Sequence, residues 1–204
     1  NADSDGLVLP ADYLSGVRAI ADQYRIPVHL DGTRLFNAEA AGPLRAAEIA
    51  AFADTVQICL SKGLCAPVGS VLAGPAQTIA LARRKRKILG GGMRQAGILA
   101  AAGLLALRDQ RSLLPKDHRK AQWLADQLAA CPQWFALVRR PQINLVFFRL
   151  TGYPVAADQL ASRLAERQIL INGPDEGVFR FVTHHWVDQT DLEHVIEVLR
   201  SLAG

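Results

Sequence analysis

The chain has 204 residues, of which 50% are apolar and 21% charged, and its formal net charge is +4. These values are ordinary for a globular protein with a sizeable core, and they exclude an intrinsically disordered chain. No apolar run is long enough to span a membrane, and no signal-peptide pattern opens the chain. The small positive charge suits an anionic ligand, but it is too weak to predict nucleic-acid binding.

Apolar periodicity predicts alternating helices and strands in the first half of the chain. The predicted helices cover residues 11–24, 46–53, 76–89 and 97–108, and the predicted strands cover residues 26–31, 56–60 and 68–73. The Ala-rich segment 35–54 is long enough for a helix that connects the first two strands. Strand–helix–strand units of this kind build a parallel α/β sheet.

A second group of elements follows the sequence Leu-Leu-Pro at residues 113–115, which marks the expected domain boundary. The predicted helices cover residues 117–130, 156–167 and 191–202, and the predicted strands cover residues 135–138, 145–150, 168–171 and 178–183. This mixture is typical of a small α+β domain. We therefore predict two domains, residues 1–114 and residues 115–204.

The three cysteines are Cys59, Cys65 and Cys131. Cys59 lies on a predicted buried strand, and the spacing of the three residues matches no metal-ligand pattern. Thiols of this kind are typical of a reducing compartment. We expect a cytoplasmic protein without a metal site.

A lysine, Lys62, ends the second predicted strand at a glycine turn. At the edge of a buried strand the ammonium is partly desolvated, which lowers the pKa of the amine. A neutral amine is the nucleophile that forms a Schiff base. The alternative is a lysine that only ends a strand in solvent.

An aspartate, Asp31, occupies the corresponding end of the first predicted strand. In a parallel α/β sheet the carboxyl ends of neighbouring strands line one crevice, where ligands bind. A lysine and an aspartate in that crevice suit pyridoxal phosphate (PLP), because the lysine forms the imine and the carboxylate keeps the pyridine nitrogen protonated.

Three motifs, residues 29–38 (HLDGTRLFNA), 61–64 (SKGL) and 90–95 (GGGMRQ), resemble the low-specificity L-threonine aldolase family. The resemblance runs from about Gly6 to the end of the chain. Members of that family are PLP enzymes of the aspartate aminotransferase fold, fold type I. The resemblance implies an α/β chain with part of the large parallel-sheet domain and a small C-terminal α+β domain.

The resemblance also implies roles for single residues. Lys62 and Asp31 are the Schiff-base lysine and the partner of the pyridine nitrogen. Arg34 reaches the substrate carboxylate or the phenolic oxygen of the cofactor, and the alternative is a solvent-exposed arginine at a helix start. Lys87 and Arg94 reach the PLP phosphate of a neighbouring subunit, so we expect a homo-oligomer, a dimer or tetramer.

Arg180 lies between two phenylalanines on a predicted strand, in the sequence Arg-Phe-Val-Thr-His. An inward-facing arginine there needs a paired anion, because an unpaired buried charge is costly. The resemblance implies that this anion is the substrate carboxylate. The alternative is an outward-facing residue of an alternating strand.

The activity that the resemblance implies is a lyase reaction on β-hydroxy-α-amino acids. L-Threonine or L-allo-threonine is cleaved by a retro-aldol reaction to glycine and an aldehyde, which places the enzyme in threonine catabolism and glycine biosynthesis. The alternatives are β-elimination or transamination with the same Asp–Lys pair. The chain matches only the later part of the family sequence, so we also weigh a fragment that needs a complementary N-terminal polypeptide.

Two residues depart from the family pattern, and one basic run has a second interpretation. Thr33 stands where we expect Ala, and Cys65 stands where we expect Gly. Residues 83–87 (RRKRK) are typical of a nuclear-localisation or nucleic-acid patch, although no aromatic residues are interleaved. Cations near a helix C-terminus also favour the helix dipole, which explains part of this run.

Overall fold

The computed structural model describes residues 6–204, and residues 1–5 lie outside the described part of the chain. The chain divides into two compact units, Val8–Leu114 and Pro115–Gly204, and residues 6 and 7 belong to the second unit. Within residues 6–204, no helix combines the length and apolar character that crossing a bilayer requires.

The first unit alternates helices and strands. The helices are α1 Ala11–Tyr24, α2 Leu35–Ala41, α3 Ala46–Ala50, α4 Ala76–Ile88 and α5 Gly97–Leu105, and the strands are β1 His29–Asp31, β2 Thr55–Cys59 and β3 Ser70–Ala73. A π-helical segment, Ala106–Gln110, and a 3-10 turn, Arg111–Leu113, follow α5. The Ala-rich segment 35–54 holds two short helices, because Gly42 and Pro43 separate α2 from α3, and the helix predicted over residues 46–53 ends at Ala50.

The sheet of the first unit has the order β1-β2-β3. Strands β1 and β2 are parallel, with Asp31 opposite Gln57. Strands β2 and β3 are antiparallel, with Cys59 opposite Ser70. The loop between β2 and β3 is too short for a crossover helix, so these two strands pair as a hairpin. The parallel pair brings the carboxyl ends of β1 and β2 to the same edge of the sheet.

The second unit packs helices on an antiparallel sheet. The helices are α6 Leu114–Ala129, α7 Ala157–Ala165 and α8 Gln189–Ala203, and the strands are β4 Phe135–Leu137, β5 Leu145–Leu150 and β6 Phe179–Val182, in the sheet order β4-β5-β6. Asp188 caps the start of α8, where its carboxylate accepts a hydrogen bond from the backbone N–H of Asp191 (3.0 Å). Side chains on one face of the sheet, among them Phe148 and Phe179, lie in the core with residues of all three helices.

The strand predicted over residues 168–171 is wrong. Gln168 has a left-handed backbone (φ 64°), and its N–H donates to the carbonyl of Ala165 (3.0 Å). The N–H of Ile169 donates to the carbonyl of Leu164 (3.0 Å), so the segment closes the end of α7. The alternation is real, since Ile169 is buried and Leu170 exposed, but these backbone groups serve the helix end instead of a sheet.

Candidate active site

Asp31 is the last residue of β1, and the turn that follows holds its carboxylate. The backbone N–H of Thr33 donates to Oδ1 (3.0 Å), and the Thr33 hydroxyl donates to the same oxygen (2.5 Å). These hydrogen bonds favour the ionised form and lower the pKa of Asp31 below its usual value. Gln57 Oε1 lies 3.3 Å from the Thr33 hydroxyl, which ties the turn to β2.

A glycine allows that turn to lie directly against the neighbouring strand. A Cβ at Gly32 would lie 2.7 Å from the carbonyl oxygen of Gln57 and 3.1 Å from Val56 Cγ1. Any larger residue would push the turn away from β2. Gly32 therefore helps to fix where the Asp31 carboxylate sits at the edge of the sheet.

Arg34 precedes α2 in the same turn and is buried, with 8% of its surface exposed. The alternative interpretation of Arg34 as a solvent-exposed arginine at a helix start is therefore wrong. A buried guanidinium is held by polar partners, because an unpaired buried charge is costly. The turn thus places a cation two residues beyond Gly32, on the same short segment as the Asp31 carboxylate.

Lys62 follows the parallel strand β2. Leu60 is buried, and the chain turns outward at Ser61 and Lys62, which are both exposed. The Lys62 ammonium donates to Cys59 Sγ at 3.9 Å. Within residues 6–204, the Lys62 side chain is therefore open to solvent and is not desolvated as expected. What the structure provides is an accessible amine at the same sheet edge as Asp31.

The loop that carries Lys62 contains a strained residue. The N–H of Cys65 donates to the carbonyl of Lys62 (2.8 Å), and Cys65 has a left-handed backbone, φ 60°. This conformation favours glycine, which explains why a glycine suits the position. Here the thiol points back to the carbonyl of Gly63, with Sγ and O 3.5 Å apart.

Lys87 and Arg94 flank the three consecutive glycines after α4. Lys87 lies in the last turn of α4, and both side chains are exposed. The Lys87 stem lies over Gly92, where any side chain would collide with its Cδ. The basic residues 83–87 are likewise exposed along the end of α4.

Arg180 belongs to the second unit and is exposed on β6, whereas Phe179 and Phe181 on the opposite face are buried. The Arg180 side chain therefore faces outward, as the alternative interpretation states. The side chain lines an open groove of about 560 Å³ that Thr183 and His184 also line. The structure thus brings Asp31, Arg34 and Lys62 to one sheet edge in the first unit, and it describes Arg180 within the second.

The sequence interpretation missed the roles of Thr33 and Gln57. The signal was available for Thr33, because an Asp followed by Gly and Thr is typical of a turn in which the carboxylate accepts hydrogen bonds from the residue two positions on. Gln57 had no local signal, since its position opposite Asp31 depends on the strand register.

A family model for beta-eliminating lyases matches residues 1–152. The chain belongs to the beta-eliminating lyase family. The low-specificity L-threonine aldolase 1 of Arabidopsis thaliana is 38% identical over 98% of this chain and 56% of its own length. The low specificity L-threonine aldolase of Escherichia coli (strain K12) is 41% identical over 94% of this chain and 55% of its own length. These relatives confirm the predicted resemblance, and the chain spans about half of their length.

Solved structures confirm the predicted fold. The assigned aromatic amino acid beta-eliminating lyase/threonine aldolase of Exiguobacterium sp. 255-15 has a TM-score of 0.78 at 23% identity and covers 99% of this chain and 60% of its own. The histidinol-phosphate aminotransferase of Clostridium acetobutylicum has a TM-score of 0.70 at 17% identity, over 98% of this chain and 60% of its own. The lyase family fold is thus shared with an aminotransferase.

Proposed function

We propose that the chain forms part of a PLP-dependent aldehyde-lyase that cleaves L-threonine and L-allo-threonine to glycine and acetaldehyde. The observation that carries this proposal is the edge formed by parallel strands β1 and β2, where Asp31 ends one strand and Lys62 follows the other. Family membership and the named threonine aldolases among the relatives support the substrate class. Because the chain spans about half of those relatives, the activity belongs to the complete protein.

The residues at this edge fit PLP. The Thr33 hydrogen bonds keep the Asp31 carboxylate ionised, which is the state that pairs with a protonated pyridine nitrogen. Lys62 offers an exposed primary amine for the Schiff base. When bound, PLP supplies an electron sink that accepts the electron pair of the breaking Cα–Cβ bond.

The arginines supply the anion contacts in this proposal. The planar guanidinium of Arg180 suits a substrate carboxylate, because both can form two parallel hydrogen bonds. Arg34 is buried beside the Asp31 turn and offers a second cation for the carboxylate or for the phenolic oxygen of the cofactor. Both arginines would hold and orient the substrate, and Lys62 would supply the amine that holds PLP.

We extend the proposal to a homo-oligomer, a dimer or tetramer, in which Lys87 and Arg94 reach the PLP phosphate of a neighbouring subunit. Helix α4 supports it, because none of its residues is buried and Ile88 is 75% exposed. The adjacent residue Leu89, just beyond the helix, is 84% exposed. Two large apolar side chains exposed side by side, next to the basic residues 83–87, suit an interface with another chain. The cysteines are thiols, which agrees with a cytoplasmic location.

Borohydride reduction in the presence of PLP tests the site directly. We expect a pyridoxyl group on the peptide that contains Lys62, identified by mass, and none there in Lys62→Arg. The exposed Lys116 serves as a control for non-specific labelling. Threonine cleavage by the complete protein should fall by about 10³-fold or more in Lys62→Arg. Labelling of Lys62 at the level of Lys116 would contradict the assignment.

A second candidate function is β-elimination, which the matching family name favours. The two reactions differ in the bond that breaks next to the same Asp–Lys pair. Release of pyruvate from L-serine would indicate β-elimination, whereas glycine and acetaldehyde from L-threonine would indicate the aldolase. We expect the second result.

A further inference from the structure

A network of buried polar groups lies immediately after β6. Thr183, only 1% exposed, donates its hydroxyl proton to the backbone carbonyl of Asp117 in the first turn of α6 (2.7 Å). The side-chain amide of Asn144 donates to the carbonyl of Thr183 (2.7 Å), and the N–H of Thr183 donates to the carbonyl of Asn144 (3.1 Å). Thr183 is thus fixed both to α6 and to the segment before β5.

Lys120 completes this network from the next turn of α6. Its ammonium donates to Asp117 Oδ1 (3.0 Å) and to the backbone carbonyl of His184 (2.9 Å). The side chains of Lys120 and Asp117 are 20% and 5% exposed. Because a buried carboxylate needs a partner, the lysine both neutralises Asp117 and fastens the chain at His184.

The network adjoins the strand that carries Arg180. Arg180 stands three residues before Thr183 on β6, an edge strand that is held on one side by β5, with Arg180 opposite Phe147. Arg180, Thr183 and His184 line the same open groove. Since the Arg180 side chain is exposed, its position depends on the path of its backbone, and the carboxyl end of that strand is held by Lys120 and Thr183.

We propose that Lys120 is a positioning residue, which sets the place of the Arg180 guanidinium by holding the end of β6 against α6. This inference rests on the proposed function, in which Arg180 binds the substrate carboxylate. Loss of Lys120 releases the His184 carbonyl and leaves Asp117 without its cation. Strand β6 then shifts, and Arg180 binds the substrate carboxylate less tightly. The chemistry at Lys62 is unaffected.

The test compares Lys120→Met with Lys116→Met in the complete protein. Lys116 is exposed on the same helix, one turn before Lys120. For Lys120→Met we expect the KM for L-threonine to rise about tenfold with little change in kcat, since the interaction lost is one of binding. The absorbance of bound PLP and all constants of Lys116→Met should stay at wild-type values. Lys120→Arg, which keeps the cation, should restore most of the affinity.

A double-mutant cycle with Arg180→Lys shows whether Lys120 acts through Arg180. We expect Lys120→Met to raise KM much less in the Arg180→Lys background than in the wild type, because residues that act as a unit are not additive. An equal rise in both backgrounds, or a loss of kcat and bound PLP together with KM, would overturn the positioning role. If Lys120→Met does not fold, Thr183→Val replaces it in the same cycle.

The same data distinguish a failure of the positioning inference from a failure of the proposed function. If Arg180→Lys raises KM and Lys120→Met leaves it unchanged, the positioning inference fails and the proposed function stands. If Arg180→Lys leaves KM unchanged, Arg180 does not bind the substrate carboxylate, and both this part of the proposed function and the inference fail.

Discussion

The two units bury their apolar residues in different ways. Among the described residues, the second unit gathers them into one continuous cluster that includes Phe148, Phe179 and Leu199. The first unit divides them between two smaller clusters, around Val56 and around Leu60. It also leaves α4 without a buried residue. The difference teaches that the second unit gathers its apolar side chains in one core, whereas the first unit, which carries Lys62, leaves large apolar side chains such as Ile98 and Leu104 exposed.

The largest effect should come from the core of the second unit. Phe148 is fully buried, and its ring centroid lies 4.9 Å from that of Phe181. Phe148→Ala should lower the free energy of unfolding by about 3–5 kcal/mol in urea titrations. The matched change Ile88→Ala on α4 should stay within about 0.5 kcal/mol. Equal losses would mean that α4 is already covered in solution, and the comparison between the units would not hold.

The next effect tests whether the first unit is tightly packed next to Lys62. A Cβ at Gly63 would lie 2.8 Å from Leu114 Cδ2, and Leu114 is only 1% exposed. Gly63→Ala should therefore lower the free energy of unfolding by about 1–3 kcal/mol. As a control, Gly97→Ala at the start of α5 meets no atom within 4 Å and should be neutral or stabilising. An unchanged free energy of unfolding in Gly63→Ala would show that the loop carrying Lys62 adjusts at little cost.

A smaller effect of opposite sign is expected at Cys65. The left-handed backbone at this residue is strained for any side chain, so Cys65→Gly should raise the free energy of unfolding by about 1 kcal/mol. Cys65→Ala keeps a Cβ and should gain nothing. Differential scanning calorimetry of both variants provides the measurement. A gain of equal size in Cys65→Ala would mean that the thiol, and not the backbone, is the source of strain.

The smallest effect concerns the charge on Asp31. Thr33→Val removes the hydroxyl donor and should raise the pKa of Asp31 towards its usual value, as followed by NMR titration of the carboxyl group. Because the folded pKa is lowered, its stabilising contribution is present above the unfolded pKa and lost as the pH falls through the folded pKa. Thr33→Val should thus be less stable than wild type at neutral pH, and this difference should vanish in acid. Thr33→Ser, which keeps the hydroxyl, should titrate like the wild type.

Helices were the elements most easily predicted from the sequence. Helix α8 was predicted over residues 191–202, and the structure extends it to Gln189–Ala203, with the Asp188 carboxylate capping its start. Helix α7 was predicted from apolar spacing, and Leu160 and Leu164 are indeed buried. The strand predicted over residues 168–171 was wrong, because alternation of apolar and polar residues cannot tell whether a segment pairs with a strand or closes a helix.

The candidate site was predictable as a set of residues but not as an environment. Asp31 and Lys62 were located because each follows a short apolar run at a glycine turn. The burial of Arg34 and the exposure of Lys62 were not predictable, since both depend on how distant segments pack. The link between Lys120 and His184 joins residues far apart in the sequence, and no local pattern indicates it.

The sequence by itself determined the family, the order of most elements and the identity of the chemical groups, because motifs, turn residues and apolar spacing are local properties of a chain. Only the tertiary structure decided the antiparallel hairpin of β2 and β3, the hydrogen bonds that hold Asp31 ionised and the polar network after β6. These features depend on distances between residues that the sequence separates. Such distances are set by packing and by the need of each buried polar group for a partner.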